Sequence, residues 1–145
     1  MIEVSKAKGS YIYDNENNRY LDFVAGVSAC SLGHCNEKVI NAIKNQSEKY
    51  MHVMVYGEFI TKPSLDLARL LAKNLPESLN CTYFTNSGTE ALEGSMKLAR
   101  RYTGRKKIIA AKNAYHGSTM GALTLMGLDE RKKPFEPLIP DVEFI

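Results

Sequence analysis

Hydrophobic positions change their period twice along this chain. Two β-prone runs, Tyr11-Ile12-Tyr13 and Arg19-Tyr20-Leu21-Asp22-Phe23, flank the polar stretch Asp14-Asn15-Glu16-Asn17-Asn18. Asn and Asp accept left-handed backbone and hydrogen-bond their own turns, so the pattern predicts a hairpin. From Asn36 the period becomes helical, with Val39, Ile40, Ile43 and Tyr50 on one face and Asn36 as N-cap, which predicts a helix ending near Tyr50. A second amphipathic helix starts at Pro63, carries Leu67, Leu70, Leu71 and Leu75, and is closed by Pro76.

Beyond Pro76 the pattern alternates. Cys81-Thr82-Tyr83-Phe84 reads as a strand, residues 88–102 as a helix stopped by Gly104, and Lys107-Ile108-Ile109-Ala110-Ala111 as a second strand. A weaker helix follows over 118–126, then a loop with Pro134, Pro137 and Pro140, then a third strand over 142–145. This order, βαβαβ, belongs to an α/β fold with a parallel sheet and right-handed crossovers. Residues 1–75 then form an N-terminal segment of hairpin and helices, and residues 76–145 the first part of a larger domain. Three parallel strands leave faces and edges uncovered, so the expectation is a piece of a longer protein.

Composition narrows the class without naming it. The 145 residues are 44% hydrophobic and 24% charged, ordinary values for a soluble globular chain, and no apolar run approaches the roughly 20 residues that span a bilayer. The N-terminus lacks signal-peptide architecture, so a cytoplasmic protein is expected. Three cysteines without framework spacing suit free thiols; Cys30, His34 and Cys35 cluster, but no second ligand pair follows to complete a zinc site. The net charge of +3 gathers in groups such as Arg105-Lys106-Lys107 and Arg131-Lys132-Lys133 without interleaved aromatics, which favours solvated loops over a nucleic-acid surface.

Chemistry concentrates at Asn86-Ser87-Gly88-Thr89-Glu90-Ala91, between the predicted strand and the predicted helix. Ser87 is a candidate N-cap, Gly88 admits close approach to the backbone, and Thr89 adds an amide and a hydroxyl. Free amides and the positive end of the helix dipole make such a start a phosphate cup. The same residues also spell a capping box, in which Glu90 reaches back to the Ser87 amide and no ligand is needed. Placement favours the cup, because open α/β sheets bind ligands beyond the carboxyl ends of their strands. At the end of the next strand, Tyr115 offers an aromatic face to a planar ring, and His116 stands beside it as a positioning or purely structural residue.

These residues, together with Lys97-Leu98-Ala99-Arg100, Tyr115-His116-Gly117-Ser118-Thr119, Tyr20-Leu21-Asp22-Phe23, Gly26 and Leu32-Gly33-His34, closely resemble the class III aminotransferases. That family consists of pyridoxal-phosphate enzymes of fold type I, including acetylornithine, ornithine and 4-aminobutyrate aminotransferases. The resemblance implies that Ser87, Gly88 and Thr89 hold the phosphate of pyridoxal 5'-phosphate and that Tyr115 stacks on its ring with His116 beside it. It also implies that residues 24–28 border the substrate pocket and that Tyr56-Gly57 approach the partner's site in a homodimer. The partners implied are an amino donor and a 2-oxo acid or aldehyde acceptor. The family's Schiff-base lysine and the aspartate facing the pyridinium nitrogen are expected beyond Ile145, so no catalytic residue is assigned within the chain, and the 145 residues alone are expected to be inactive. Glu37 and Leu92 depart from the family's usual residues. Two other readings stay open: an aminomutase or decarboxylase of the same fold, and a non-catalytic phosphate- or protein-binding module in which residues 87–90 only cap a helix.

Overall fold

The computed structural model describes residues 1–54 and 56–145, which cluster into two compact units, Met1–Leu65 and Asp66–Ile145. In the first, β1 (Val4–Lys8), β2 (Tyr11–Asp14) and β3 (Arg19–Leu21) form an antiparallel sheet in that order. Lys8 stands opposite Tyr11, and Tyr11 opposite Leu21. The predicted hairpin is β2–β3, and a single carboxylate closes its turn. Asp14 Oδ1 accepts from the Glu16 and Asn18 amides, both at 2.9 Å, while Oδ2 accepts from Asn18 Nδ2 at 3.0 Å and from the Tyr20 hydroxyl at 2.9 Å. These donors, the Asn18 side chain foremost, hold the Asp14 carboxyl below its ordinary value. β1 has no counterpart in the hydrophobic pattern, because Lys6 and Lys8 on one side and the small Ser5 and Ala7 between them give no apolar alternation, and a register shift follows Val4.

After β3 the backbone turns left-handed for four consecutive residues: φ is +48° at Ala25, +61° at Gly26, +56° at Val27 and +68° at Ser28. Only glycine adopts this region freely, and L side chains there cost about 1–2 kcal/mol each. The turn is held from both ends. Asp22 Oδ1 accepts from the Val24 and Ala25 amides at 3.0 and 2.9 Å, and Oδ2 lies 2.7 Å from His34 Nε2. The His34 hydrogen bond, and then the Ala25 amide, lower the Asp22 carboxyl below its ordinary value. The backbone of His34 is itself paired with Gly9 in both directions, at 2.9 and 2.8 Å.

The helix α1 (Glu37–Ser47) starts where predicted, with Asn36 Oδ1 accepting from the Lys38 and Val39 amides at 3.1 and 3.4 Å. It ends before Tyr50, whose carbonyl instead accepts from Gln46 Nε2 at 2.9 Å. The predicted second helix is α2 (Lys62–Asn74), which runs across the boundary between the units.

In the second unit two strands, not three, are paired. β4 (Ile108–Ala110) and β5 (Val142–Phe144) run parallel, with Ile108 opposite Val142 and Ala110 opposite Phe144. Residues 81–84, predicted as a strand, have no ladder partner among the described residues, and Tyr83 is 85% exposed. β-propensity marks a segment as fit for a sheet, but only a neighbour taking its N–H and C=O groups makes it a strand. The predicted βαβαβ is therefore reduced to one parallel crossover following α3 (Gly88–Thr103), within a chain that is mixed α/β throughout. The weaker helix is shorter than its pattern, α4 (Met120–Thr124), and α5 (Asp129–Lys132) adds one turn inside the predicted loop.

The core lies between α3 and this ladder. Met96, Ala110 and Leu125 are buried against Leu92, Ile108, Val142 and Phe144, and every residue from Gly121 to Met126 is buried. Gly104 ends α3 at φ +68°, as a C-terminal glycine should. Arg100, in the last turn, donates Nε to the Lys106 carbonyl at 2.9 Å and a terminal nitrogen to the Pro140 carbonyl at 3.2 Å. One side chain thereby fixes the helix end to the segments that enter both strands.

Candidate functional site

Three N–H groups at the start of α3, those of Ser87, Gly88 and Thr89, have no acceptor among the described residues. Ser87 is extended and caps the helix, its Oγ accepting from the Glu90 amide at 3.3 Å. The capping box is not closed as its sequence pattern predicts, because the Glu90 carboxylate accepts from the Asn86 amide at 2.7 Å instead of from Ser87. This shift by one residue leaves the Ser87 amide open. Three convergent amides at the positive end of a sixteen-residue helix suit an anion. Gly88 keeps the approach clear, since a Cβ built there meets nothing within 4 Å.

The turn after β4 packs directly on this cup. Gly117 is buried at φ +124°, and a Cβ there would collide with the Thr89 side chain. Thr89 Oγ1 and Thr119 Oγ1 are 2.7 Å apart. Between these two contacts and β4 stands Tyr115, with its hydroxyl 3.3 Å from Ser118 Oγ and the Arg131 guanidinium 5.7 Å from its ring centroid. The ring stays 58% exposed, open to a planar ligand. His116 is half-buried, and its ring makes no hydrogen bond among the described residues.

Glu93 is the residue that the sequence reading missed. Its Oε1 accepts from the Thr119 hydroxyl at 2.7 Å, the Gly121 amide at 2.8 Å and the Ala122 amide at 3.3 Å. A carboxylate on α3 thus caps α4 and holds the hydroxyl that touches the cup. The Thr119 hydrogen bond is the largest influence on Glu93; partial burial opposes it, the two amides and Lys97 assist it, and the net effect lowers the carboxyl below its ordinary 4.5. Because the folded value is depressed, the stability this group contributes is complete above pH 4.5 and is lost as the pH falls through the folded value. Denaturation measured from about pH 7 down to about pH 3 is expected to show an acid-induced loss that Glu93→Gln flattens. An identical pH slope in the variant would contradict this role.

Other clusters are already engaged. His34, between Cys30 and Cys35, is bound to Asp22, and no group of three metal-ligating side chains occurs among the described residues. Within the basic groups, Lys107 pairs with Glu143 at 2.9 Å, and Lys132 is buried with its ammonium 4.0 Å from the Phe144 ring centroid and 3.2 Å from Asp129. A cleft of about 620 Å³ along α1 is lined by Val39, Ala42, Ile43, Tyr50 and Met51, with Lys38, Gln46 and Ser47 among them, and its surface is mainly apolar. Among the described residues no helix is long and apolar enough to cross a membrane.

Comparison with known proteins adds a second line of observation. Residues 1–145 match the profile of the family described as Aminotransferase class-III. Acetylornithine aminotransferase of Methanopyrus kandleri is 43% identical over 144 residues, covering 99% of this chain and 36% of that protein. Among solved structures, an (S)-enantioselective omega-transaminase from Thermomicrobium roseum superposes with a TM-score of 0.93 at 30% identity, covering all of this chain and 34% of the other. The ornithine aminotransferase of Toxoplasma gondii, whose structure shows partial occupancy of PLP at its active site, superposes with a TM-score of 0.85 at 29% identity, over 99% of this chain and 35% of that one. The chain spans about a third of the length of these relatives and matches their N-terminal portion.

Proposed function

Because the chain belongs to the class-III aminotransferase family, we propose that its anion cup holds the phosphate of pyridoxal 5'-phosphate in an enzyme that moves an amino group from an amino acid or amine to a 2-oxo acid or aldehyde. The observation that carries this reading is the set of three unpaired amides at Ser87, Gly88 and Thr89, with the exposed ring of Tyr115 tied to the same cup through Gly117 and Thr119. The cofactor's two recognisable parts, a dianion and a flat ring, fit those two features. When bound, it supplies the electron sink for chemistry at the carbon bearing the amino group.

The residues of this chain do the binding. The amides of residues 87–89 and the α3 dipole balance the phosphate charge. Tyr115 fixes the tilt of the ring, and Arg131 steadies Tyr115. His116 borders the ring. We assign no covalent role to Lys97 or Lys112, both exposed, and place the lysine that bonds the cofactor outside residues 1–145. Names of the relatives favour a donor of the ornithine type. In the whole protein, residues 1–75 serve as the N-terminal segment and residues 76–145 begin the cofactor domain. We further propose a cytoplasmic homodimer in which residues 24–28 border the substrate and Tyr56 and Gly57 face the partner.

One observation favours a second reading, in which this helix start is purely structural: the Ser87 hydroxyl and the Glu90 carboxylate both make capping contacts. Absorbance titration with pyridoxal phosphate, followed by borohydride reduction and peptide mapping, separates the two. Titration of the full-length protein is expected to develop the cofactor's absorbance and to label a lysine outside residues 1–145. A label on Lys97 or Lys112 would overturn the assignment, and no absorbance change would favour the structural reading.

A further inference from the structure

The direction of hydrogen bonding around Glu93 decides which hydroxyl of the cup can serve a phosphate. Glu93 Oε1 already accepts two backbone N–H groups, from Gly121 and Ala122, so toward Thr119 it can only be an acceptor. The Thr119 hydroxyl therefore spends its single proton on Glu93, at 2.7 Å. What remains on Thr119 Oγ1 is lone pairs, and the Thr89 hydroxyl 2.7 Å away must donate to them. Ser87 is the opposite case. Its Oγ accepts from the Glu90 amide, and its own proton has no acceptor among the described residues.

We infer that Glu93 is a positioning residue that commits the Thr89 hydroxyl inward, so that among the cup's hydroxyls only that of Ser87 is left to donate to a phosphate. The inference rests on the reading of residues 87–89 as the phosphate holder. Thr89 then contributes its amide alone, and its side chain serves to keep the Tyr115 turn against α3. Swapping the roles of the two hydroxyls would require Thr119 to give up its hydrogen bond to the Glu93 carboxylate.

The test compares two probes, pyridoxal 5'-phosphate and pyridoxal, by their dissociation constants in the full-length protein. The dissociation constant of pyridoxal divided by that of pyridoxal 5'-phosphate isolates recognition of the phosphate from general damage to the fold, which weakens both. Thr89→Val is expected to leave the ratio within about twofold, while Ser87→Ala lowers it by about 10- to 100-fold, the worth of one hydrogen bond to a charged group. With Glu93→Ala the Thr89 hydroxyl is freed, and Thr89→Val in that background is expected to lower the ratio about tenfold or more. Thr119→Ala provides a second background with the same conditional effect should Glu93→Ala fold poorly. A large loss of the ratio for Thr89→Val alone, or the same small effect in every background, would overturn the role of Glu93 and leave the cup standing. If the unsubstituted protein binds the two probes equally, the cup reading itself fails and takes this inference with it.

Discussion

Gly117→Ala is expected to be strongly damaging, costing about 2–5 kcal/mol of stability. Two separate effects add at this position. At φ +124° an L side chain is strained whatever space surrounds it, and the space is taken, because the new Cβ would overlap the Thr89 side chain while Thr89 Cα lies 3.3 Å away. Thr89 cannot retreat cheaply, since it belongs to the first turn of α3 and its hydroxyl is bound to Thr119. Gly104→Ala provides the control. It is also left-handed, at φ +68°, but nothing lies within 4 Å of its Cβ, so the backbone effect stands alone at about 1 kcal/mol. Chemical denaturation of both variants measures the difference. Equal losses would mean that the Gly117–Thr89 contact carries no energy.

Gly88→Leu is expected to do the reverse, sparing the fold and removing the cofactor. No atom lies within 4 Å of a Cβ at Gly88, its backbone is helical, and leucine is the better helix former, so the melting temperature should hold or rise. Helical Cβ atoms tilt toward the N-terminus, the same direction in which the unpaired amides of the first turn point. The side chain therefore competes for the volume in front of the Gly88 and Thr89 N–H groups. Losing two hydrogen bonds to a dianion, each worth about 1.5–3 kcal/mol, corresponds to a fall of about 100-fold or more in affinity for pyridoxal phosphate. Binding followed by absorbance, set beside the melting curve, checks both halves. Unchanged affinity with an unchanged fold would move the phosphate elsewhere.

Features written in consecutive residues were legible in the sequence. Asn36 and Ser87 as N-caps, Gly104 as a helix stop and the Asp/Asn turn before Arg19 each need only a few neighbouring residues, and each stands where its chemistry places it. Features that depend on distant partners were hidden. Glu93 looks like one more charge on an amphipathic helix until α4 brings Thr119, Gly121 and Ala122 to it. The strand character of residues 81–84 was plain, but its pairing was not a local matter. The left-handed run over 25–28 contains a single glycine, so nothing in Ala25, Val27 or Ser28 announces it. Its cause lies in Asp22 and His34, which hold the turn from outside. The cup itself was half legible: its amides follow from the helix start, but the move of Glu90 to the Asn86 amide, which leaves Ser87 open, does not.

The spacing of contacts along the chain also sets an order of events during synthesis. β1, β2 and β3 pair neighbours such as Lys8 with Tyr11, so their loops close cheaply as soon as the residues leave the ribosome. The parallel ladder waits much longer, because Ile108 has no partner until Val142 has been made. A chain that has emerged only as far as Gly104 contains the residues of α3, yet lacks Thr119 to anchor Thr89 and the turn that carries Tyr115. The residues of the helix start are made before the site is complete. On the proposed reading of this site, the phosphate contacts and the ring platform come together only in the finished crossover.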